Sequence, residues 1–349
     1  MRVAYLGPAG TYSEEALRAS APGPVEEIPY PTIRDAVMAV QAAAVDRAVV
    51  PIENALEGAV AVTLDTLATD ADRVRIAAEV VHPIHHCAIA ARPLALDEVT
   101  RVVSHPQASA QCARFLRERL PHTELVAAPS TADAVLSVRA AAEPALALGS
   151  RLAAELYDCV VLASDVEDHP DNATRFVWLA PADATSTPGD APSPKTPGDA
   201  PSPKTPDDAL PANAPGDAPS PRTPGDAASP KTPDAPSCKT GDAPSSKTDD
   251  PFSKTGAPSC KTSVVFWGGG DQSPGWLVAA LREFADRNVN LTRIESRPRR
   301  IRLGHYMFFA DLEGAADEPP VSEALAALRH RVEEVRVLGS YGSVGGPPG

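Results

Sequence analysis

The segment DNATRFVWLA, residues 171–180, places three side chains of different chemistry in succession. Thr174 is a weak acid and a hydrogen-bond donor, Arg175 is a permanent cation suited to a carboxylate, and Phe176 offers an apolar wall. Together these side chains could hold an organic anion. A strand that carries one surface arginine explains the same triplet, and the triplet alone does not decide between the two.

A second polar pair follows an apolar run in VVPIENALEG, where Glu53 and Asn54 are adjacent. A carboxylate beside a carboxamide at the end of a strand can orient a polar substrate, because both present acceptors and the amide also presents donors. The same pair could instead cap the loop through side-chain to backbone hydrogen bonds.

The segment VVSHPQASAQCARFL has the same form. Ser104 and His105 follow an apolar run, and Gln107 and Gln111 lie one helical turn apart. A helix cap with two solvated glutamines is the alternative interpretation. Adjacent serine and histidine are poorly placed to act as nucleophile and base, and the chain has no GxSxG motif, so a hydrolase is disfavoured.

These segments must be positioned by strands and helices, which alternate along residues 1–180. RVAYLG is typical of a strand, and TYSEEALRAS of a helix that begins near Thr11 or Ser13. The pattern repeats, with polar residues at strand ends, where α/β folds place their ligands. We therefore predict an α/β domain over residues 1–180.

The next segment, residues 181–261, has a different composition. It contains 19 of the 38 prolines, repeats GDAPS-like units, and has few large apolar residues. Such a segment cannot bury enough surface to offset its conformational entropy. We predict a disordered linker there. Residues 262–342 then follow the order βαββαβ, which predicts a ferredoxin-like domain.

Net charge and hydropathy exclude some classes of partner. The charge of −14 and the absence of a long basic run argue against nucleic acid or an anionic membrane. No run approaches the roughly 18 apolar residues of a membrane span, and MRVAYLGPAG lacks the apolar core of a signal peptide. We expect a cytoplasmic protein without a membrane partner. The five cysteines have no CxxC spacing, which favours reduced thiols over disulfides or a metal site.

The motifs resemble a known family. GPAGTYSEEA, PIENALEGAVAVTLDTL, SHPQASAQCARFL, STADAV and NATRF have the order and approximate spacing of the prephenate dehydratase family, and PGWLVAALREFADRNVNLTRIESRPRR is similar to that family's C-terminal ACT regulatory domain. The resemblance implies a two-lobed, periplasmic-binding-type dehydratase domain, a disordered linker and an ACT domain. The first lobe would comprise residues 1–76 and 166–180, and the second lobe residues 77–160.

The resemblance also implies an activity. The family converts prephenate to phenylpyruvate without a cofactor or a metal, because aromatisation of the ring drives the loss of carbon dioxide and water. By this resemblance Thr174 is a hydrogen-bond donor or a proton source to the leaving hydroxyl, while Arg175 binds a carboxylate or is a structural cation. Serine is frequent in the family where this chain has Ala55 and Ala59. The residues expected at the catalytic site are Thr174, Glu53, Asn54, Ser104 and Gln111, and those expected to bind substrate are Arg175, Phe176, Thr11 and His105.

An ACT domain implies feedback by L-phenylalanine and a homodimer or homotetramer. Trp276 occupies a position where the family usually has alanine, so the indole could fill or reshape the effector pocket, select a different effector, or pack on a neighbouring subunit. The residues expected to bind the effector are Gly275, Trp276, Leu277, Glu295, Ser296, Arg297 and Pro298.

Two other functions remain open at this point. A prephenate decarboxylase that does not aromatise the ring would share the fold, and a catalytically silent small-molecule sensor would share its two lobes. The presence of Thr174 and of a whole ACT domain favours the dehydratase.

Overall fold

A computed structural model describes residues 1–182, 260–268 and 273–342 of the chain. All of them belong to one compact unit. The predicted linker, residues 181–261, lies outside the described residues except for its first two and last two positions. Within the described ranges, none of the helices has the length and apolar character needed to cross a membrane.

Residues 1–182 form a two-lobed α/β domain built from eleven strands and seven α-helices. The strands are β1 Arg2–Leu6, β2 Glu26–Tyr30, β3 Arg47–Asn54, β4 Gly58–Ala59, β5 Val74–Pro83, β6 Cys87–Ala90, β7 Arg101–Ser104, β8 Glu124–Ala127, β9 Ala145–Gly149, β10 Val160–Ala163 and β11 Ala173–Pro181. The helices are α1 Tyr12–Ser20, α2 Ile33–Gln41, α3 Ala61–Thr69, α4 Pro106–Gln111, α5 Ala113–Arg119, α6 Thr131–Ala140 and α7 Arg151–Leu156, with a 3-10 turn at Leu96–Glu98.

Each lobe contains its own sheet. The first has the order β2-β1-β3-β11-β5, with β4 paired to β3, and the second has the order β10-β6-β9-β7-β8. Strand β11 returns from the second lobe and inserts antiparallel between β3 and β5. Strand β5 pairs with β11 as far as Pro83, so the chain leaves the first lobe after Pro83. The sequence had suggested an earlier boundary, at residue 76.

The lobes also meet at the loop before α1. Gly10 has a positive φ of 85°, and a Cβ atom there would lie 2.9 Å from Ala153 in the second lobe. The Ser150 hydroxyl donates to the Gly10 carbonyl at 2.8 Å. The loop therefore needs glycine both for its left-handed backbone and for the close approach of the second lobe.

The C-terminal residues form the expected βαββαβ domain, and its sheet has the order β13-β14-β12-β15 with all neighbours antiparallel. The first helix of this domain begins at Trp276, directly after Gly275, which adopts a left-handed φ of 80°. The elements are β12 Cys260–Trp267, α8 Trp276–Ala285, β13 Leu291–Pro298, β14 Tyr306–Glu313, α9 Pro319–Arg329 and β15 Glu334–Gly342. The fold class predicted from the sequence is thus confirmed for both domains.

The two faces of this C-terminal sheet pack against different partners. Val264 and Phe266 on β12 belong to the apolar core shared with α8 and α9. Val265, between them, belongs to the core of the first lobe together with Phe309 and Leu338. Strand alternation therefore lets one sheet pack on its own helices and on the N-terminal domain. The two domains are in direct contact in addition to their covalent connection.

Candidate active site

A cavity of about 230 Å³ opens between the two lobes. The first lobe contributes Thr11, Asn54 and Thr174, and the second contributes His105 and Gln111. Apolar side chains, including Leu6, Ile84 and Phe176, form the rest of the wall. A pocket with few polar groups and apolar walls suits a small organic ligand that carries polar substituents.

Thr174 and Asn54 face each other across the β11 and β3 pair and are both buried. The Asn54 amide nitrogen donates to Thr174 Oγ1 at 2.9 Å, and to Asn172 Oδ1 at 3.0 Å. The Asn54 amide oxygen accepts the backbone N–H groups of Leu56 and Glu57, both at 3.0 Å, so the amide cannot flip. Because Thr174 Oγ1 accepts from Asn54, its own proton is available to a ligand in the cavity.

The hydrogen bonds continue into the second lobe. Gln111 Oε1 accepts from Asn172 Nδ2 at 3.2 Å and lies 3.0 Å from His86 Nε2. The other His86 nitrogen lies 2.8 Å from the Tyr12 hydroxyl. Burial lowers the pKa of His86, so a neutral imidazole with its proton on Nε2 fits these contacts. The Gln111 amide group is then left as a donor for a ligand.

Two helices begin at the cavity. Thr11 and Ser130 are the residues before α1 and α6, in different lobes, and both line the cavity. The Thr11 hydroxyl donates to the Leu6 carbonyl at 2.7 Å, and its oxygen makes no capping hydrogen bond with α1. Helix N-termini carry positive partial charge and bind anions. Among the described residues that line this cavity there is no arginine or lysine, so the first backbone N–H groups of these two helices are candidates to bind negative charge. Each first turn also carries carboxylates, which are Glu14 and Glu15 in α1 and Asp133 in α6.

Most of the residues expected at the site are brought together. Six of the nine expected catalytic and substrate-binding residues line the cavity, namely Thr174, Asn54, Gln111, Phe176, Thr11 and His105. Ser104 lies behind the wall with 1% of its surface exposed, and its hydroxyl donates to the His105 carbonyl at 3.0 Å. His105 also accepts the Gln107 backbone N–H at 3.3 Å, as the N-cap of α4.

Arg175 and Glu53 lie outside the cavity. Arg175 points to the opposite face of β11 from Thr174, as strand alternation requires. There its guanidinium group binds Glu79 at 3.0 Å, Asp311 at 2.7 Å and Glu53 at 3.1 Å. This geometry does not fit the expected contact between Arg175 and a substrate carboxylate. It also does not fit an orienting role for Glu53. Of the two interpretations of Arg175 left open by the sequence, the structural cation fits.

Four residues of the site were not expected from the sequence, namely His86, Tyr12, Asn172 and Ser130. Asn172 lies two positions before Thr174, in the segment that drew attention, yet its side chain received no role. His86 follows Pro83 where the chain crosses to the second lobe. A signal was present in the polar residues that interrupt the apolar run VRIAAEVVHPIHHCAIAA. Only the crossover, which requires the fold, shows that they reach the cleft.

A second cavity, also of about 230 Å³, lies in the C-terminal domain beside Trp276. Gly275 and Leu277 line it as well, whereas β13, which carries the other expected effector residues, does not. Those β13 residues are Glu295, Ser296, Arg297 and Pro298. The indole packs against Phe266 and Phe308, with ring centroids 6.5 and 5.8 Å away, and its N–H donates to the Arg331 carbonyl at 3.1 Å. Trp276 therefore packs within its own domain and leaves a cavity open beside it.

Potential metal ligands occur together at one place in the described ranges, where His85, Asp165 and Glu167 have ligand atoms within 4.8 Å of one another. Glu167 is already engaged, since its oxygens contact His85 Nδ1 and the His86 backbone N–H, both at 2.8 Å. Four cysteines are free thiols, and the fifth, Cys238, lies outside the described residues. The four are Cys87, Cys112, Cys159 and Cys260.

Comparison with known proteins agrees with this architecture. The family model "Prephenate dehydratase" matches residues 3–184, and the model "ACT domain" matches residues 263–330. This chain belongs to the prephenate dehydratase family. A family relative from Amycolatopsis methanolica, named prephenate dehydratase, is 33% identical over 99% of this chain and 90% of its own length. A relative of the same name from Mycobacteroides abscessus is 36% identical over 97% of this chain and 89% of its own length.

A solved structure of the family is similar to this chain. It is the prephenate dehydratase of Arthrobacter aurescens in complex with L-Phe, which is 30% identical with a TM-score of 0.73. The match covers 100% of this chain and 92% of the other. The family is a family of enzymes, and the C-terminal domain described above is its ACT domain.

Proposed function

We propose that this chain is a prephenate dehydratase, a carbon-oxygen lyase that converts prephenate to phenylpyruvate in the biosynthesis of L-phenylalanine. The observation that carries the proposal is the Thr174 hydroxyl, oriented by the Asn54 amide, in the cavity between the lobes. Membership of the family supplies the reaction, and the contacts of Thr174 supply a group able to perform its central step.

The reaction makes limited demands on a protein. The bond between the ring and its carboxylate breaks, and its electrons enter the ring as the ring hydroxyl leaves. The hydroxyl takes up a proton, which comes on balance from the solvent, and departs as water, while the carboxylate departs as carbon dioxide and the ring becomes aromatic. Stabilising the departing hydroxyl is therefore the main task, and no cofactor is needed.

Thr174 performs this task as a hydrogen-bond donor. Its pKa is too high for it to be a strong acid, so its contribution is a fixed donor that meets the charge growing on the leaving oxygen. The Asn54 amide donates to a lone pair of Thr174 Oγ1, which leaves the Thr174 proton free to bond the leaving oxygen. The Gln111 amide, fixed by its oxygen contacts with Asn172 and His86, is a second neutral donor in the same cavity.

The two carboxylates of prephenate bind without a cationic side chain. The N-termini of α1 and α6, at Thr11 and Ser130, approach the cavity from the first and second lobe respectively. Each can hold one carboxylate through backbone N–H groups. This arrangement replaces the expected contact with Arg175. It also places no full positive charge beside the ring carboxylate. Such a charge would stabilise the carboxylate and oppose its departure as carbon dioxide.

L-Phenylalanine is the proposed effector of the ACT domain. Support comes from the Arthrobacter aurescens relative, whose structure is a complex with L-Phe, and from the cavity beside Trp276. The effector would lie against Tyr306 and Phe308, which line that cavity. We further propose a cytoplasmic homodimer or homotetramer.

The deciding experiment follows phenylpyruvate, by its enolate absorbance in alkali, after purified protein is mixed with prephenate. Thr174→Val removes the hydroxyl while keeping the branched shape, and Thr174→Ser keeps the hydroxyl. We expect the valine variant to lose at least about 10²-fold in kcat and the serine variant to stay within about tenfold of wild type. Loss of prephenate without phenylpyruvate would support a decarboxylase instead. Prephenate that binds but is not consumed would support a sensor.

A further inference from the structure

Six ionic side chains meet where the ACT domain packs on the dehydratase domain. Three are cations and three are carboxylates, so their formal charges balance. We name this group the interdomain charge cluster, and it consists of Arg175, Lys261, Arg293, Glu53, Glu79 and Asp311.

Asp311, on β14 of the ACT domain, lies at the centre of this cluster with 1% of its surface exposed. It accepts hydrogen bonds from Arg175 at 2.7 Å, from Arg293 at 2.9 Å and from Ser263 at 2.6 Å. Burial alone would raise the pKa of Asp311, but the two guanidinium groups and the Ser263 hydroxyl hold it at about 2. Asp311 is therefore ionised at neutral pH and bonds to the dehydratase domain through Arg175.

The dehydratase residues of the cluster are neighbours of the proposed catalytic residues. In the β3 and β11 pair, Thr174 is opposite Asn54, and the next position pairs Arg175 with Glu53. Successive side chains on a strand point to opposite faces. The same two steps of the ladder thus present Thr174 and Asn54 to the cavity on one face, and Arg175 and Glu53 to the ACT domain on the other.

We propose that Asp311 is a positioning residue for the reaction, which holds Thr174 and Asn54 in register by binding Arg175 and, through it, Glu53. This inference rests on the proposed function of the cavity. Neutralising Asp311 leaves the buried cluster with three cations and two carboxylates, and the neighbouring backbone must accommodate this excess positive charge. The backbone concerned here is the ladder that sets the distance between the Asn54 amide and the Thr174 hydroxyl.

A second interdomain ion pair provides a matched control. Asp65, on α3, binds Arg297 at 3.0 Å and Arg300 at 2.6 Å, both from the ACT domain. It is largely buried and links the same two domains, but its helix does not carry Thr174 or Asn54. If both aspartates only hold the domains together, their substitutions should have the same effect on β11 exchange and on kcat.

The test compares Asp311→Asn with Asp65→Asn in the full chain by two measurements. The first is hydrogen exchange of the backbone amides of β11, followed by mass spectrometry without substrate. The second is the steady-state formation of phenylpyruvate. For Asp311→Asn we expect exchange near Thr174 to rise at least about tenfold, and kcat to fall about tenfold with KM changed less than about threefold. For Asp65→Asn we expect both to stay within about twofold of wild type.

The proposal is overturned if Asp311→Asn leaves the exchange of β11 unchanged, or if both variants alter exchange and kcat equally. If Asp311→Asn does not fold, Ser263→Ala removes one hydrogen bond to Asp311 without removing its charge. We then expect the same increase in β11 exchange and decrease in kcat, each of smaller magnitude. The exchange measurement needs no turnover. A wild-type protein that forms no phenylpyruvate would therefore refute the proposed function, while the exchange data would still decide on the role of Asp311.

Discussion

The substitution Asn54→Asp preserves the shape of the side chain but replaces its donating amide nitrogen with an accepting oxygen. It reverses the hydrogen bond to Thr174 and also removes the donations to Asn172 Oδ1 at 3.0 Å and to the Ala173 carbonyl at 3.2 Å. One carboxylate oxygen of the aspartate can still accept the backbone N–H groups of Leu56 and Glu57, as the amide oxygen does at 3.0 Å. The other replaces the amide nitrogen that donates to Thr174 Oγ1 at 2.9 Å. The Thr174 proton would then turn toward the aspartate, because a carboxylate can only accept.

The expected loss can be worked out from these contacts. Thr174 no longer offers its proton to the leaving hydroxyl, which is equivalent to removing one preorganised donor from the transition state. Such a loss costs about 10² to 10³-fold in kcat, or about 3 to 4 kcal/mol. KM should change less, because the helix N-termini that hold the carboxylates are untouched. The assay is initial-rate formation of phenylpyruvate by the wild type and by Asn54→Asp.

The pH dependence separates this reasoning from general damage. The carboxyl group introduced by Asn54→Asp would be buried, so its pKa is raised, and its protonated form can donate to Thr174 again. The ratio of variant to wild-type kcat should therefore rise as the pH is lowered from about 8 to about 5. Asn54→Ala, which also loses the bonds to Leu56 and Glu57, should show a loss without this recovery. An Asn54→Asp variant with kcat within about threefold of wild type, or a ratio independent of pH, would refute the orientation of the Thr174 hydroxyl.

Three further outcomes are expected. Trp276→Ala enlarges the ACT-domain cavity and should change L-phenylalanine affinity at least about fivefold by calorimetry, since an indole wall is removed. Gly339→Ala should destabilise the protein by about 1 to 3 kcal/mol in urea, because its Cβ would overlap the Ile76 carbonyl oxygen, whereas Gly342→Ala, with nothing within 4 Å, should not. The pKa of Asp311 is lowered from 3.8 to about 2, so its contribution of about 2 kcal/mol is present above about pH 4 and lost toward pH 2. Acid unfolding of Asp311→Asn should lack that part of the wild-type pH dependence.

The sequence was most informative where local pattern and motif agreed. Alternating apolar runs and helix signals define the α/β domain, and the order βαββαβ defines the ACT domain. The polar residues at strand ends were sound guides, because parallel strands deliver their ends to one edge of the sheet. Asn54 and Thr174 come together for a different reason: β11 runs antiparallel to β3, so the start of β11 lies beside the end of β3, although 120 positions separate the two residues.

What the sequence left open concerns contacts between surfaces. Alternation placed Arg175 on the opposite face from Thr174, but could not reveal that the ACT domain covers that face. Trp276 could be recognised as unusual, yet its contact with Phe266 and Phe308 depends on how α8 packs on the sheet. His86 required knowledge of where the chain crosses between lobes. These are tertiary relations between segments far apart in the chain, which local propensity does not encode.

The adjacency of Thr174, Arg175 and Phe176 now has a physical account. A strand inserted between β3 and β5 exposes alternate residues to the cleft and to the domain behind it. Thr174 and Phe176 take the cleft face as donor and wall, and Arg175 takes the face that the ACT domain covers. A cation at this position stays out of the cavity and so does not stabilise the carboxylate that must leave. The same cation can bind Asp311, which makes the placement of the donor depend on the packing of the ACT domain.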